Sequence, residues 1–149
     1  MISKKLLLIP ALLIGGFLVG CTDQSSNKFT YELYIDKSSF NDGDLSFSFT
    51  NVNEKQDTLF GGYDISFDLI IENSTETPQK ILTQEVMFYD EVKDEKVKGF
   101  DDLELYVPAN GRCTSNLSSS LRQSYKEGKY SFRFTFDSKT ICYHLYNNG

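Results

Sequence analysis

Residues 129–136 read KYSFRFTF, and this stretch decides the fold class of the chain. Aromatic side chains occupy every second position from Tyr130 to Phe136, and polar side chains occupy the positions between them. Successive side chains of a β-strand point to opposite faces, whereas a helix would repeat its apolar positions every three or four residues. The stretch therefore predicts a strand that packs one aromatic face on a core.

The same alternation continues outward along the chain. Predicted strands cover residues 29–35, 45–50, 63–71, 80–89, 103–107, 113–115, 130–136 and 141–146. Turn signals separate them, among them Asn-Asp-Gly-Asp at 41–44 and Pro-Ala-Asn-Gly at 108–111, because Pro presets φ and Gly supplies positive φ. We predict a polar loop at 51–58, an exposed hairpin or loop at 90–102, and a short helical turn or loop at 117–125.

Many short strands separated by turns, with no helix of ordinary length, are typical of an all-β domain. We predict an antiparallel β-sandwich of about seven or eight strands over residues 29–149, with a small β-barrel as the alternative. A chain of this length forms one domain and buries about two-thirds of its unfolded surface, which is enough for a real core.

Residues 127–134, EGKYSFRF, resemble the start of strand F in immunoglobulin-like domains. The resemblance implies that Tyr130 is a tyrosine-corner residue, whose hydroxyl bonds back to the preceding corner. Phe132 stands where an antibody-type domain has its second cysteine, and the chain contains no Trp. The likeness is therefore to the broad immunoglobulin-like sandwich rather than to antibody domains.

A second resemblance covers more of the chain. The strand at 63–73, the Pro-x-x-Gly turn at 107–111 and the Gly-x-Tyr start at 127–130 are similar to small bacterial immunoglobulin-like modules. These modules include the BsuPI-type proteinase inhibitors. The resemblance implies an immunoglobulin-like fold, with proteinase inhibition as the activity of that group.

The first residues of the chain have the pattern of an export signal. Lys4 and Lys5 precede an apolar run of about 12 residues, which is too short to span a bilayer. Residues 18–21, LVGC, then resemble the lipobox of bacterial lipoproteins. The resemblance implies a signal peptide at 1–20 that is cleaved before Cys21.

The lipobox resemblance also implies how the mature chain is held. Lipid such as palmitate would be attached to the Cys21 thiol, and residues 21–28 would form a flexible tether. The protein would be extracytoplasmic and lipid-anchored to the cell membrane or the outer membrane. Thr22 rather than Asp at the second mature position resembles lipoproteins sent to the outer membrane of cells that have one.

Two other kinds of N-terminal segment fit the first residues less well. An uncleaved signal anchor needs a longer apolar run than this one, which Gly15, Gly16 and Gly20 interrupt. An ordinary secretory signal peptide would carry a small-x-small site of the Ala-x-Ala kind, which the sequence lacks. Charge, length and the position of Cys21 all favour the lipoprotein.

The net charge restricts the class of partner. The chain has a formal charge of −6, and loss of Lys4 and Lys5 with the signal peptide would make it −8. An acidic surface disfavours nucleic acid and anionic membrane surfaces as partners. Such a charge also keeps a small domain soluble, which is the simpler explanation for it.

The cysteine count leaves one pair after lipidation of Cys21. Cys113 and Cys142 form a possible disulfide, since paired cysteines in an extracytoplasmic domain are often bonded. The bridge would close a loop of about 30 residues and stabilise the fold by roughly 3 kcal/mol. The alternative is two buried free thiols.

No motif for catalysis, a metal or a cofactor is present. His144 is the single histidine and is expected to be a surface or packed residue rather than a catalytic base. The acidic groups within 90–95 and 101–104 lack the spacing of a Ca²⁺ loop, and lysines are interleaved with the first group. We predict no catalytic residue, no metal site, no cofactor and no enzymatic activity.

The predicted function is therefore binding or structural interaction in the cell envelope, with the membrane held through Cys21 and a protein as the partner. The alternative is a proteinase inhibitor or immunity-type protein that caps an envelope enzyme or toxin through the 90–102 hairpin. Four tyrosines that fall off the strand alternation or at its edge are candidates for an exposed patch: Tyr34, Tyr89, Tyr125 and Tyr143.

Overall fold

The computed structural model describes residues 29–149, and within them the chain is all-β. The signal peptide 1–20, Cys21 and the whole tether to residue 28 lie outside the described residues. Ten strands are present: β1 (Tyr31–Tyr34), β2 (Ser39–Asp42), β3 (Leu45–Gln56), β4 (Tyr63–Asn73), β5 (Gln79–Asp90), β6 (Glu95–Gly99), β7 (Glu104–Val107), β8 (Arg112–Leu121), β9 (Tyr130–Phe136) and β10 (Lys139–His144).

The strands form two sheets that pack face to face as a β-sandwich. The six-stranded sheet has the order β1-β10-β9-β5-β6, with β7 paired to the first half of β5. The four-stranded sheet has the order β2-β3-β4-β8. In the first sheet β9 lies between β10 and β5, as strand F lies between G and C in an immunoglobulin sandwich. The predicted immunoglobulin-like β-sandwich is confirmed.

Residues 29–149 contain more strands than the predicted seven or eight, because polar segments also pair. The predicted polar loop at 51–58 is largely the second half of β3, which continues to Gln56 past an irregularity between Thr50 and Asn53. The predicted helical turn or loop at 117–125 is largely the end of β8, whose serine-rich sequence alternates between exposed and buried positions. β2 and β6 are short and mostly exposed, so neither has a strong apolar signal.

The six-stranded sheet is not purely antiparallel, which corrects the prediction in one place. β1 pairs in parallel with β10, with Tyr31 opposite Ile141 and Tyr34 opposite His144. The remaining strand pairs are antiparallel. A parallel neighbour requires a long connection between the strands, and here almost the whole chain separates β1 from β10.

Aromatic rings fill the space between the sheets. Phe49 of β3 stacks on Tyr143 of β10, with ring centroids 4.4 Å apart. Phe67 of β4 makes edge contacts with Phe132 of β9 at 5.2 Å and with Phe88 of β5 at 5.7 Å. All five side chains are essentially buried. The alternating aromatics that predicted strand β9 are thus the centre of the core.

The sandwich has two distinguishable ends. The Tyr31 end contains the start of β1 and the turns at 43–44, 74–78 and 108–111. Asp42 joins the sheets there, because its carboxylate accepts hydrogen bonds from the Tyr31 hydroxyl at 2.9 Å and the Lys139 ammonium at 3.0 Å.

The loop end is the opposite end, formed by residues 57–62, 91–94 and 122–129. The first segment connects β3 to β4, and the second connects β5 to β6. The third follows β8, whose end pairs with the start of β4. Residues 29–149 contain no helix with the length and apolar character needed to cross a membrane.

Candidate functional site

The β3–β4 loop presents two large apolar side chains at the loop end. Leu59 is 80% exposed and Phe60 is 86% exposed. Val92, in the β5–β6 turn at the same end, is 73% exposed. Full exposure of neighbouring Leu and Phe side chains costs hydrophobic free energy, so such a pair at a loop tip points to a binding surface.

The β3–β4 loop is held in one shape by its own hydrogen bonds. The Asp57 carboxylate accepts from the amides of Leu59 and Phe60, both at 3.0 Å. The Asp57 amide donates to the Gly62 carbonyl at 2.9 Å. Gly62 has φ +87°, and a Cβ there would lie 2.7 Å from the Leu121 carbonyl oxygen, so only glycine fits. The exposed pair is therefore presented by a preorganised loop.

A groove of about 700 Å³ lies beside this loop and is lined by residues of both sheets. Phe60 and Tyr130 supply apolar walls. The charged lining is mixed, with Lys93, Lys96, Arg122, Asp90 and Glu95. The 122–129 loop on the groove's rim is fastened to β3. Glu54 accepts hydrogen bonds there from the hydroxyl of Ser124 and the amide of Tyr125, both at 2.8 Å.

A second group of side chains lies on the outer face of the six-stranded sheet. Ile141 and Tyr143 of β10 face the core, so Cys142 and His144 face outward. Both are nonetheless covered by neighbouring residues: Cys142 is fully buried, and His144 is nearly so. We call Glu32, Glu91, Cys142, His144 and Tyr146 the outer-face cluster.

His144 is at the centre of the outer-face cluster. Its Nδ1 lies 2.5 Å from Glu91 Oε2, and its Nε2 lies 3.0 Å from Glu32 Oε2 and 3.5 Å from Cys142 Sγ. The Tyr146 hydroxyl donates to Glu91 Oε1 at 2.6 Å. The ring of Tyr34 stacks on the imidazole, with centroids 4.6 Å apart. Both ring nitrogens therefore face carboxylates.

The cluster shifts the pKa values of its two central groups. Burial lowers the pKa of His144, but hydrogen bonds with Cys142, Glu91 and Glu32 outweigh burial and raise it to about 10. Burial raises the pKa of Glu91, but hydrogen bonds from His144 and Tyr146 outweigh burial and lower it to about 2. These directions favour an imidazolium paired with a carboxylate at neutral pH.

The structure contains Cys113 and Cys142 as free thiols rather than as the possible disulfide. Cys113 lies on β8 in the four-stranded sheet and packs against the core. Cys142 lies on β10 in the six-stranded sheet and faces away from the core. The strand alternation therefore points the two thiols in incompatible directions, and a bridge would require turning β10 over.

Tyr130, the tyrosine-corner candidate, begins β9 and is buried. Its ring lies against Gly128, where a Cβ would come within 2.6 Å of the tyrosine Cε2. The hydroxyl bond to the preceding corner stays a prediction. Cys21, the lipidation candidate, lies outside the described residues.

The four tyrosines do not form one exposed patch. Tyr143 is buried in the core, and Tyr34 and Tyr125 are half-buried. The ring of Tyr89, also half-buried, is covered by the Arg133 guanidinium at 3.8 Å from its centroid. In the acidic run at 90–95, Glu91 is the residue that joins the outer-face cluster.

Sequence reasoning missed Leu59, Phe60 and the outer-face cluster. The Leu-Phe pair directly follows the predicted polar loop at 51–58, and nothing in its sequence distinguishes exposure from burial. Cys142 and His144 are two residues apart on a predicted strand, so their shared face could have been found. Glu32 and Glu91 could not, because they are distant in sequence.

Comparisons with known proteins do not assign a function. No protein-family model matches the chain, and no curated protein matches it. The X-ray structure of Northeast Structural Genomics Consortium target SoR45 is similar, with a TM-score of 0.42 and 12% identity. The similarity covers 71% of this chain and 84% of that chain. A likeness at this level carries no argument about function.

Proposed function

We propose that the chain is a lipid-anchored extracytoplasmic protein that binds a protein partner through its loop end, without catalysis. The observation that carries the proposal is the preorganised presentation of Leu59 and Phe60 next to the groove. Large apolar anchors surrounded by polar groups dominate the energetics of protein interfaces. A rigid loop also loses less conformational entropy on binding than a flexible one.

The partner is sought by site-specific photocrosslinking in native cells. A photoreactive amino acid replaces Phe60 in the full chain, and the matched control replaces Tyr106, which is 60% exposed on β7. We expect a crosslinked protein at position 60 that is missing at position 106. The same adduct at both positions, or none at position 60, would contradict the proposal.

A double variant tests whether the apolar pair supplies affinity. We expect Leu59→Ser with Phe60→Ser to weaken recovery of that partner at least about 10-fold, because truncated anchors cost 1–2 kcal/mol or more each. The matched control changes Leu82 and Tyr106, which are also exposed, to serine and should leave recovery unchanged. Equal recovery with both double variants would remove the loop end as the binding surface.

The lipid anchor has a separate test. We expect Cys21→Ala to move the protein from the membrane fraction to the soluble fraction, since a lipid chain contributes about 0.8 kcal/mol per buried CH₂. The serine variants of the loop end should stay with the membrane. Retention of Cys21→Ala at the membrane would sink the lipoprotein assignment but not the loop-end binding.

The alternative function, an inhibitor or immunity-type protein, is favoured by the β5–β6 hairpin. β6 is exposed along its length, and Val92 projects from the turn. If the crosslinked partner is an enzyme or toxin, one equivalent of the chain should abolish its activity, and Val92→Ser should restore it. An unaffected activity would leave binding without inhibition.

A further inference from the structure

We propose that Cys142, His144 and Glu32 bind a divalent transition-metal ion of the Zn²⁺ class on the outer face of the six-stranded sheet. This inference does not depend on lipid anchoring or on the loop end. It departs from the expectation that the sequence contains no metal site, because topology unites residues that the sequence separates.

The donor set suits such an ion. A thiolate, an imidazole and a carboxylate are the ligands that Zn²⁺ takes in proteins. Cys142 and His144 present theirs from one strand face. Glu32 lies opposite Cys142 in the β1–β10 register, so its side chain is on the same face.

The distances place the ion at Nε2 of His144. Tetrahedral Zn²⁺ with bonds of about 2.3 Å to sulfur and 2.0 Å to nitrogen holds those two atoms roughly 3.5 Å apart. Cys142 Sγ and His144 Nε2 are 3.5 Å apart. Glu32 Oε2 is 3.0 Å from Nε2, and this side chain is 47% exposed, so it can turn toward the ion to complete the ligand set.

Glu91 has a different role at the same site. Its carboxylate, the Cys142 sulfur and a His144 nitrogen lie within 4.8 Å of one another. However, Glu91 Oε2 is only 2.5 Å from Nδ1, which is a hydrogen-bond distance that leaves no space for an ion. Glu91 would accept a hydrogen bond from the Nδ1–H group and so orient the ring, as carboxylates do for metal-bound histidines.

The burial pattern agrees with a three-ligand site. Cys142 is fully buried, whereas Glu32 reaches solvent, so an ion would arrive from the Glu32 side and keep a water ligand there.

The test is a titration of the full chain with Co²⁺, after purification in detergent and removal of metals with a chelator. A thiolate-to-cobalt charge-transfer band and the visible bands of tetrahedral Co²⁺ should appear and saturate at one ion per chain. Zn²⁺ should then displace the cobalt and abolish the bands. Absence of the band in the folded wild-type chain would overturn the proposal. It would mean that hydrogen bonds alone hold the outer-face cluster together.

Variants identify the thiol. The chain has three cysteines, so Cys21→Ala with Cys113→Ser leaves Cys142 as the single thiol, and this variant should keep the full band. Cys142→Ser should lose the band while its far-UV circular dichroism stays that of the folded protein. A band that persists in Cys142→Ser would assign the cobalt to another thiol and overturn the proposal.

Further variants separate the roles of the two carboxylates. Glu91→Gln should weaken Co²⁺ binding about 10- to 100-fold but keep the tetrahedral spectrum. This is the effect expected of a group that orients a ligand without contacting the ion. Glu32→Gln should weaken binding and also change the visible bands, because a ligand is replaced. Unchanged affinity and spectrum in Glu32→Gln would exclude Glu32 as a ligand.

Discussion

Replacing Phe67 by alanine is expected to lower the free energy of unfolding by about 3–5 kcal/mol. Phe67 is fully buried at the centre of β4. Its ring contacts Phe49, Phe88, Phe132 and Tyr143, which come from both sheets. Removal of the ring leaves a cavity that four rigid aromatic neighbours cannot close, so both transfer and cavity costs apply.

Chemical denaturation followed by circular dichroism measures this effect, and the chain contains its own control. Phe60→Ala makes the same chemical change at a side chain that is 86% exposed. We expect its free energy of unfolding to change by less than about 0.5 kcal/mol. Similar losses for the two variants would contradict the placement of either ring.

Replacing Glu91 by alanine is expected to cost about 3 kcal/mol of stability at neutral pH in the metal-free protein. Glu91 holds both His144 and Tyr146 by short hydrogen bonds, and Arg133 lies 3.9 Å from its carboxylate. Without Glu91, the buried imidazolium loses its closest anion, and a buried group left without its partner costs more than the pair contributes.

The control for this prediction is Glu104→Ala, which breaks an exposed ion pair with Lys80 at 3.6 Å. Exposed pairs contribute about 0–1 kcal/mol, so this variant should be close to wild type. Thermal and urea unfolding in the presence of a chelator measure both variants. A loss for Glu91→Ala no larger than for Glu104→Ala would show that the cluster does not stabilise the fold.

The prediction of the fold succeeded where apolar residues alternate. β4 and β9 have one aromatic or aliphatic side chain at every second position, and each faces the core. The prediction failed where polar segments pair through their backbones without a strong apolar pattern. The polar residues of β8 and the second half of β3 become strands because β4 lies between them and pairs with both. A polar sequence does not reveal such a neighbour.

The candidate sites were predictable only in part. The 90–102 segment was expected to form an exposed hairpin, and its residues 90–99 do form the β5–β6 hairpin. Glu91, the residue of this segment that joins the outer-face cluster, could not be distinguished from the acidic residues around it. The prediction for the cysteine pair did not use the alternation of β10, which turns Cys142 away from the core that Cys113 faces.

The sequence by itself determined the all-β class, the central strands and the aromatic core, because the period-two pattern is local and is written directly in the side chains. Only the tertiary structure decided which polar groups meet. Glu32 and His144 are separated by 112 residues and become neighbours through the parallel pairing of β1 with β10. Such pairing follows from the packing of the whole sandwich, and no local sequence signal encodes it.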